Sequence, residues 1–322
     1  MKPRRPLLIA SFLAVCVVWG STYLAIRVAL DGFPPFLLGA ARFLGAGAVL
    51  YVIARSRGEA APRLAQWGSA ALTGTLLFVV GNGLINVAEQ WVSSGVAAVL
   101  VATMPLWATV FSRLFGAPVS GRELAGVVLG LVGVAVLNLG GDLRASPAGA
   151  LCCLLAPMGW ALGSLATRRL PMPPGVMMRT ASQMLAGGVA TALVTVVAGE
   201  HMAGAPSPRA IAAALYLVIM GSLVGFSAYS YLLAHTRTAV ATSYAYVNPV
   251  IAVVLGVALA HEHFGVASAI GGVIVLGAVV LVGLGKRPAQ SLPSASLSRS
   301  IVDVASGSPS NRSTTPSSQT TT

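Results

Sequence analysis

Two polar side chains stand inside long apolar stretches at matched places: Arg42 and, 141 residues later, Gln183. An Arg at the centre of a membrane helix costs about 2.5–3.5 kcal/mol on insertion scales, so one retained there needs a reason. Arg42 could take a carboxylate or phosphate by a forked hydrogen bond, with Gln183 facing it across a shared cavity. A structural bond from Arg42 to helix-end carbonyls is an equal alternative. Asn82 and Asn86 are four residues apart and share a helix face, as do Tyr244 and Asn248, with Tyr229 nearby in sequence. Such faces either line a cavity or bond neighbouring helices. Trp19 and Trp160, again 141 apart, are cavity walls or packed aromatics. Pro105 and Pro249, 144 apart, each remove a backbone hydrogen bond. They read as helix kinks beside gates, or as plain packing bends. Arg27 and Arg179 lie nearer the ends of apolar runs and read as snorkelling side chains.

Other chemistries find little support. Cys16, Cys152 and Cys153 lie in apolar segments without zinc-site spacing and read as small core residues. In His261-Glu262-His263 the histidines alternate and do not converge as an i, i+4 pair would. The chain has no G-x-S-x-G, H-E-x-x-H or Walker A sequence, which argues against hydrolysis and against an ATP-driven pump. No metal and no cofactor are expected. An intramembrane lipid-modifying enzyme and a non-transporting scaffold remain the alternatives to a carrier.

The elements that position these residues are membrane helices. Hydrophobic residues make up 56% of the 322 and charged residues 9%, against about 25% charged in a soluble domain. A span needs about 20 mostly apolar residues. Ten windows qualify: 8–29, 36–54, 67–86, 94–115, 123–140, 148–167, 176–198, 211–234, 240–260 and 266–285. Short loops leave no room for a soluble domain. The stretch from 286 to 322, rich in Ser, Thr and Pro, reads as a disordered cytoplasmic tail. The basic N-terminus precedes an apolar run with no cleavage-site pattern and reads as the first span.

The net charge of +12 is spread over short loops, which excludes a nucleic-acid face. One alternating set of loops and ends holds thirteen Lys and Arg before the tail; the other holds only Arg144 and Arg209. The positive-inside rule places both termini in the cytoplasm. Residues 81–137 also align without a gap on 225–281, at an offset of 144. Gly81 falls on Gly225, Pro105 on Pro249 and Gly133 on Gly277. Five spans per copy is an odd number, so the second copy is inverted. The expected fold is an all-α integral membrane protein, ten transmembrane helices in two inverted five-helix repeats, residues 1–140 and 148–285. Exchange of conformation between inverted copies is a route to alternating access.

The motifs carry a family resemblance. Trp19-Gly20-Ser21-Thr22-Tyr23, Pro34-Pro35 with Arg42-Phe43, and Ser94-Gly95-Val96-Ala97 leading to Pro105-Leu106 resemble the drug/metabolite transporter superfamily, EamA-type. Trp160-Ala161-Leu162-Gly163-Ser164 and Asn248-Pro249-Val250-Ile251-Ala252, followed by Glu262, resemble its second half. The resemblance covers roughly residues 8 to 285. One departure is Ala117-Pro118, where an acid matching Glu262 is expected. The resemblance implies a secondary transporter of a bacterial inner membrane, proton-coupled or facilitated. It moves a small polar metabolite, amino-acid-like compound or drug, often as export. Its partners are that solute and the lipid bilayer. Ten helices can enclose a cavity alone, so a monomer or weak homodimer is expected.

Overall fold

The structure, a computed structural model, describes residues 5–116, 118–139, 146–235 and 244–285. The expected tail lies outside these residues. The described chain is helical, with no strand among the described residues. In order come α1 (Arg5–Ala29), α2 (Pro35–Ser56), α3 (Leu64–Ala88) and α4 (Ser94–Leu114). Then follow α5 (Gly121–Asn138), α6 (Pro147–Arg169) and α7 (Val176–Val197). Next, α8 runs as Pro208–Tyr216, Leu217–Val224 and Gly225–His235; α9 is Tyr244–Ala260 and α10 is Val266–Gly285. Among the described residues, seven helices are long and apolar enough to cross a membrane: α1 to α4, α6, α7, and Pro208–Tyr229 of α8. Helices α5, α9 and α10 occupy the other three expected spans.

The helix starts have local causes. Pro35, Pro147 and Pro208 sit in the first turns of α2, α6 and α8, where proline forfeits no hydrogen bond. Ser146 and Ser207 cap α6 and α8 by accepting from Gly149 N and Ala210 N. Two stretches, Thr75–Gly83 in α3 and Leu217–Val224 in α8, are wound as π-helix. They overlap when the 144-residue offset is applied. π-Turns of this kind widen a helix and often mark functional positions.

Burial is arranged for lipid. Val52, Leu72, Val128, Leu193 and Val197 are exposed on the outer faces of their helices, while Thr73, Ser182, Thr191 and Ser222 are fully buried. Apolar outside and polar inside is the order a bilayer imposes, because lipid cannot satisfy a hydroxyl. Small residues let the helices close up. Gly126 and Gly133 put α5 against α10, where an added Cβ would lie 2.9 Å from Ala278 O and 2.9 Å from Val275 N. Helix α3 meets α7 through Gly74 and Gly187, backbone against backbone.

Two carboxylates tie α2 to α7 at opposite ends. Glu59, after α2, accepts from Met178 N in the first turn of α7 at 2.9 Å. Glu200, after α7, accepts from Phe36 N at 3.0 Å and Leu37 N at 2.9 Å in the first turn of α2. Glu59 and Glu200 are 141 residues apart, and so are Leu37 and Met178. Each negative charge satisfies orphan N–H groups and sits on the positive end of a helix. Losing a helix cap costs roughly 0.5–2 kcal/mol. Glu59→Gln and Glu200→Gln should each lower the melting temperature in detergent, by similar amounts and additively in the double variant, since the sites share no partner.

Candidate functional site

A cavity with an empty volume of about 830 Å³, open solvent at its mouth included, lies between α1, α2, α3, α4, α6, α8 and α9. Trp19, Tyr23, Arg42, Asn82, Pro105, Trp160, Tyr244, Asn248 and Pro249 line it. It therefore draws on both expected halves of the chain, and its lining includes expected residues beside others, such as Thr22, Tyr23, Ile85 and Phe226, that type and spacing did not single out.

Arg42 is 6% exposed and reaches the cavity from α2. Its Nε donates to Ser222 Oγ of α8 at 3.0 Å. Gly221 leaves room for the guanidinium: a Cβ there would stand 3.1 Å from Nη2. The side chain is thus braced through Nε, and its guanidinium carbon lies 5.1 Å from the Phe43 ring centroid. A planar cation braced through Nε at the edge of a mainly apolar cavity can fork onto a carboxylate.

The other expected residues divide. Asn82 lines the cavity and donates from Nδ2 to Leu77 O at 3.1 Å, a bond that follows the π-turn. With its amide turned to donate, Asn248 bonds Tyr244 O at 3.1 Å and Cys16 O at 3.2 Å. Gln183 does not border this cavity. Its Nε2 donates to Thr73 Oγ1 and Thr167 Oγ1, both at 2.9 Å, joining α7 to α3 and α6. Asn86 is also set back, donating to Pro35 O at 3.0 Å. Tyr229 stands behind the wall, 5.3 Å from the Trp19 ring centroid and 5.6 Å from that of Tyr244. Pro105 opens the second part of α4 after a break at Ala102-Thr103, whereas Pro249 lies within α9.

The two tryptophans are placed reciprocally. A Cβ on Gly225 would fall 2.3 Å from Trp19 Nε1, and one on Gly81 would fall 2.4 Å from Trp160 Cδ1. Each indole fills the space that a glycine of the other half leaves. Trp19 is further held by its N–H, which donates to Gly221 O at 3.0 Å, and by Tyr244 at 4.8 Å. Gly81→Ala and Gly225→Ala should each push an indole into the void. The expected outcome in a solute-flux assay is a comparable loss of rate for both, with little loss of folded protein. A large effect from one and none from the other would show that the two walls play different parts.

Two further acids lie near each other beside this arrangement, Glu262 and Glu89, the second of which reads from the sequence either as a proton site or as an ordinary loop acid. Glu262 accepts from Ser94 N at 3.0 Å and from Ser94 Oγ at 2.7 Å, and so seals the start of α4 to the end of α9. The matched place in the first half is Pro118, which has no carboxylate to do the same. Glu89, one residue past α3, is fully buried, and neither carboxyl oxygen has a hydrogen-bond partner. Arg27 Nη1 donates to the main-chain oxygen of Glu89 rather than reaching toward the interface.

Comparison with known proteins gives consistent results. The chain matches the EamA-like transporter family twice, over residues 7–139 and 147–284. It is 43% identical over 280 residues to "Uncharacterized inner membrane transporter YedA" of Escherichia coli (strain K12), covering 87% of this chain and 91% of that one. It is 26% identical over 281 residues to "Probable terminal-alkyne amino-acid exporter" of Streptantibioticus cattleyicolor, covering 86% and 94%. A crystal structure 21% identical in sequence superposes with a TM-score of 0.60 over 88% of this chain and all of that one, a likeness of fold alone.

Proposed function

Because this chain belongs to the EamA-like transporter family and is a multi-pass membrane transporter, we propose that it carries a small amphipathic anion or zwitterion by alternating access. The carrier consists of ten spans in two inverted five-helix repeats, with both termini cytoplasmic. The reciprocal seats of Trp19 on Gly225 and Trp160 on Gly81 support the inversion. So do the Glu59 and Glu200 caps, which repeat one contact at opposite ends of a helix pair. The basic loops support the orientation. No catalytic step is required.

The observation that carries the substrate class is Arg42: a buried cation, braced through Nε, that lines an otherwise mainly apolar cavity. A carboxylate would meet the guanidinium, and an apolar body would lie against Trp19, Trp160 and Tyr244. An amino-acid-like compound with a hydrophobic side chain has both parts. The relative named as an amino-acid exporter supports that class and the outward direction. Asn82 and Asn248 would orient the solute, and Pro105 and Pro249 would let α4 and α9 bend at their gates.

Counterflow in proteoliposomes tests the reading. Vesicles loaded with a mixture of apolar L-amino acids should take up labelled tracer saturably. The free carboxylate should be required, so the corresponding amino-acid amides should exchange poorly. Exchange of the amides as fast as the acids would remove the anion from the account.

A further inference from the structure

Glu89 is an ionisable group whose state the carrier reading leaves unexplained, one turn from the equally unpartnered Oδ1 of Asn86. It follows α3 at the turn into α4, yet part of this turn packs inward: Ala88, Val92 and Ser94 are fully buried beside it, while Gln90 and Trp91 are exposed. Both carboxyl oxygens are shut from solvent and lack a donor. The other buried acid among the described residues is satisfied, as Glu123 accepts from Ser120 N at 2.7 Å, and the half-buried Glu262 accepts from Ser94. An ionised carboxylate cannot persist in such a place without a donor or counter-ion, whereas a protonated one can.

The groups around it are arranged for a change of charge. From α1 come Arg27, already bonded to the main-chain oxygen of Glu89, and Tyr23, which lines the cavity. From α6 comes Cys153, and from the α9–α10 turn comes Glu262. Burial first, and then the negative charge of Glu262, push the Glu89 carboxyl above the usual carboxylate range, while Arg27 pulls it back. Ile85, one turn earlier on the same face, lines the cavity. The carboxyl therefore lies behind the part of the cavity wall that Ile85 and Tyr23 form, near the Glu262 carboxylate.

We propose that Glu89 is a proton-binding site that couples solute movement to a proton. In the sealed arrangement the carboxyl carries its proton. When α1, α3 and α6 part around a solute, water reaches the group and the O–H bond breaks. The proton passes to that water, and the carboxylate left behind pairs with the Arg27 guanidinium. Resealing requires reprotonation, because the closed site does not hold a bare carboxylate. The coupling step rests on the carrier reading above; the protonated state does not.

Two measurements on purified full-length protein separate the claims. Infrared difference spectroscopy during a pH titration should find a protonated carboxyl band at neutral pH. That band should be absent in Glu89→Gln and retained in Glu262→Gln. Its absence in the wild type overturns the site, whatever the protein transports. In proteoliposomes with an internal pH dye, the apolar L-amino-acid mixture should drive proton movement in the wild type. Glu89→Gln should abolish that movement while tracer counterflow continues, and Glu89→Asp should restore part of it. Counterflow without proton movement in the wild type overturns the coupling. Failure of counterflow in the wild type instead sinks the carrier reading, and the infrared titration then decides the site alone.

Discussion

Arg42→Ala should lower the apparent affinity for an anionic or zwitterionic solute by about 30-fold or more. That is the low end of the loss when one partner of a buried charge pair, worth roughly 2–5 kcal/mol by truncation, is removed. Arg42→Lys should recover only part of it, because an ammonium cannot present the guanidinium fork. The competing account makes Arg42 a brace between α2 and α8 through Ser222. The two accounts separate on Ser222→Ala. If the brace is all that matters, Ser222→Ala should cost as much transport as Arg42→Ala. If Arg42 holds solute, Ser222→Ala should lower the melting temperature slightly and leave most of the affinity. Selectivity adds a further readout: with the cation gone, amino-acid amides should compete as well as acids.

Gly74→Val should cost most of the folded protein. A Cβ at Gly74 would stand 2.4 Å from Gln183 O and 2.8 Å from Gly187 N, and a Cβ at Gly187 would stand 2.6 Å from Gly74 O. Backbone atoms on both sides cannot move aside as a side-chain tip could. Overpacking a close contact costs about 1–3 kcal/mol, more when relief is blocked. The damage would spread, because α3 and α7 also meet through Gln183 and Thr73. Gly68 lies on the same helix with nothing within 4 Å of its would-be Cβ, so Gly68→Val is the matched control. Size-exclusion profiles after a heat step should lose the monodisperse peak for Gly74→Val and keep it for Gly68→Val. Equal behaviour would mean that the α3–α7 contact is not what holds this half together.

Much of this was legible in the chain because membrane helices declare themselves. A run of apolar residues long enough to cross is also long enough to see, and among the described residues seven helices at the expected windows are long and apolar enough to cross. Matched aromatic and proline positions led to the cavity because a duplicated unit repeats its lining. Gln183 shows the limit of that logic. Its offset from Arg42 is right, but an amide is short and finds Thr73 and Thr167 before it reaches the void. The same offset applied to the acids would have found Glu59 and Glu200, whose roles need only a helix start nearby. Glu89 was not legible as a buried group. An acid just beyond a span reads as an ordinary loop residue, and only the local packing that turns Glu89 and Val92 inward, while Gln90 and Trp91 face out, takes it out of solvent. Pro118 was visible as a departure, but its meaning depended on the contact that Glu262 makes across to Ser94.

The central claim is one cavity reached in turn from both sides of the membrane. Ala102 lines that cavity at the break in α4, and cysteine there adds a single sulfur. In a background with Cys16, Cys152 and Cys153 replaced by alanine, Ala102→Cys should react with a membrane-impermeant maleimide. The account predicts labelling when the reagent is applied to either face of sided vesicles, and protection by the apolar L-amino-acid mixture from both. Labelling from one face only, with or without solute, would contradict it.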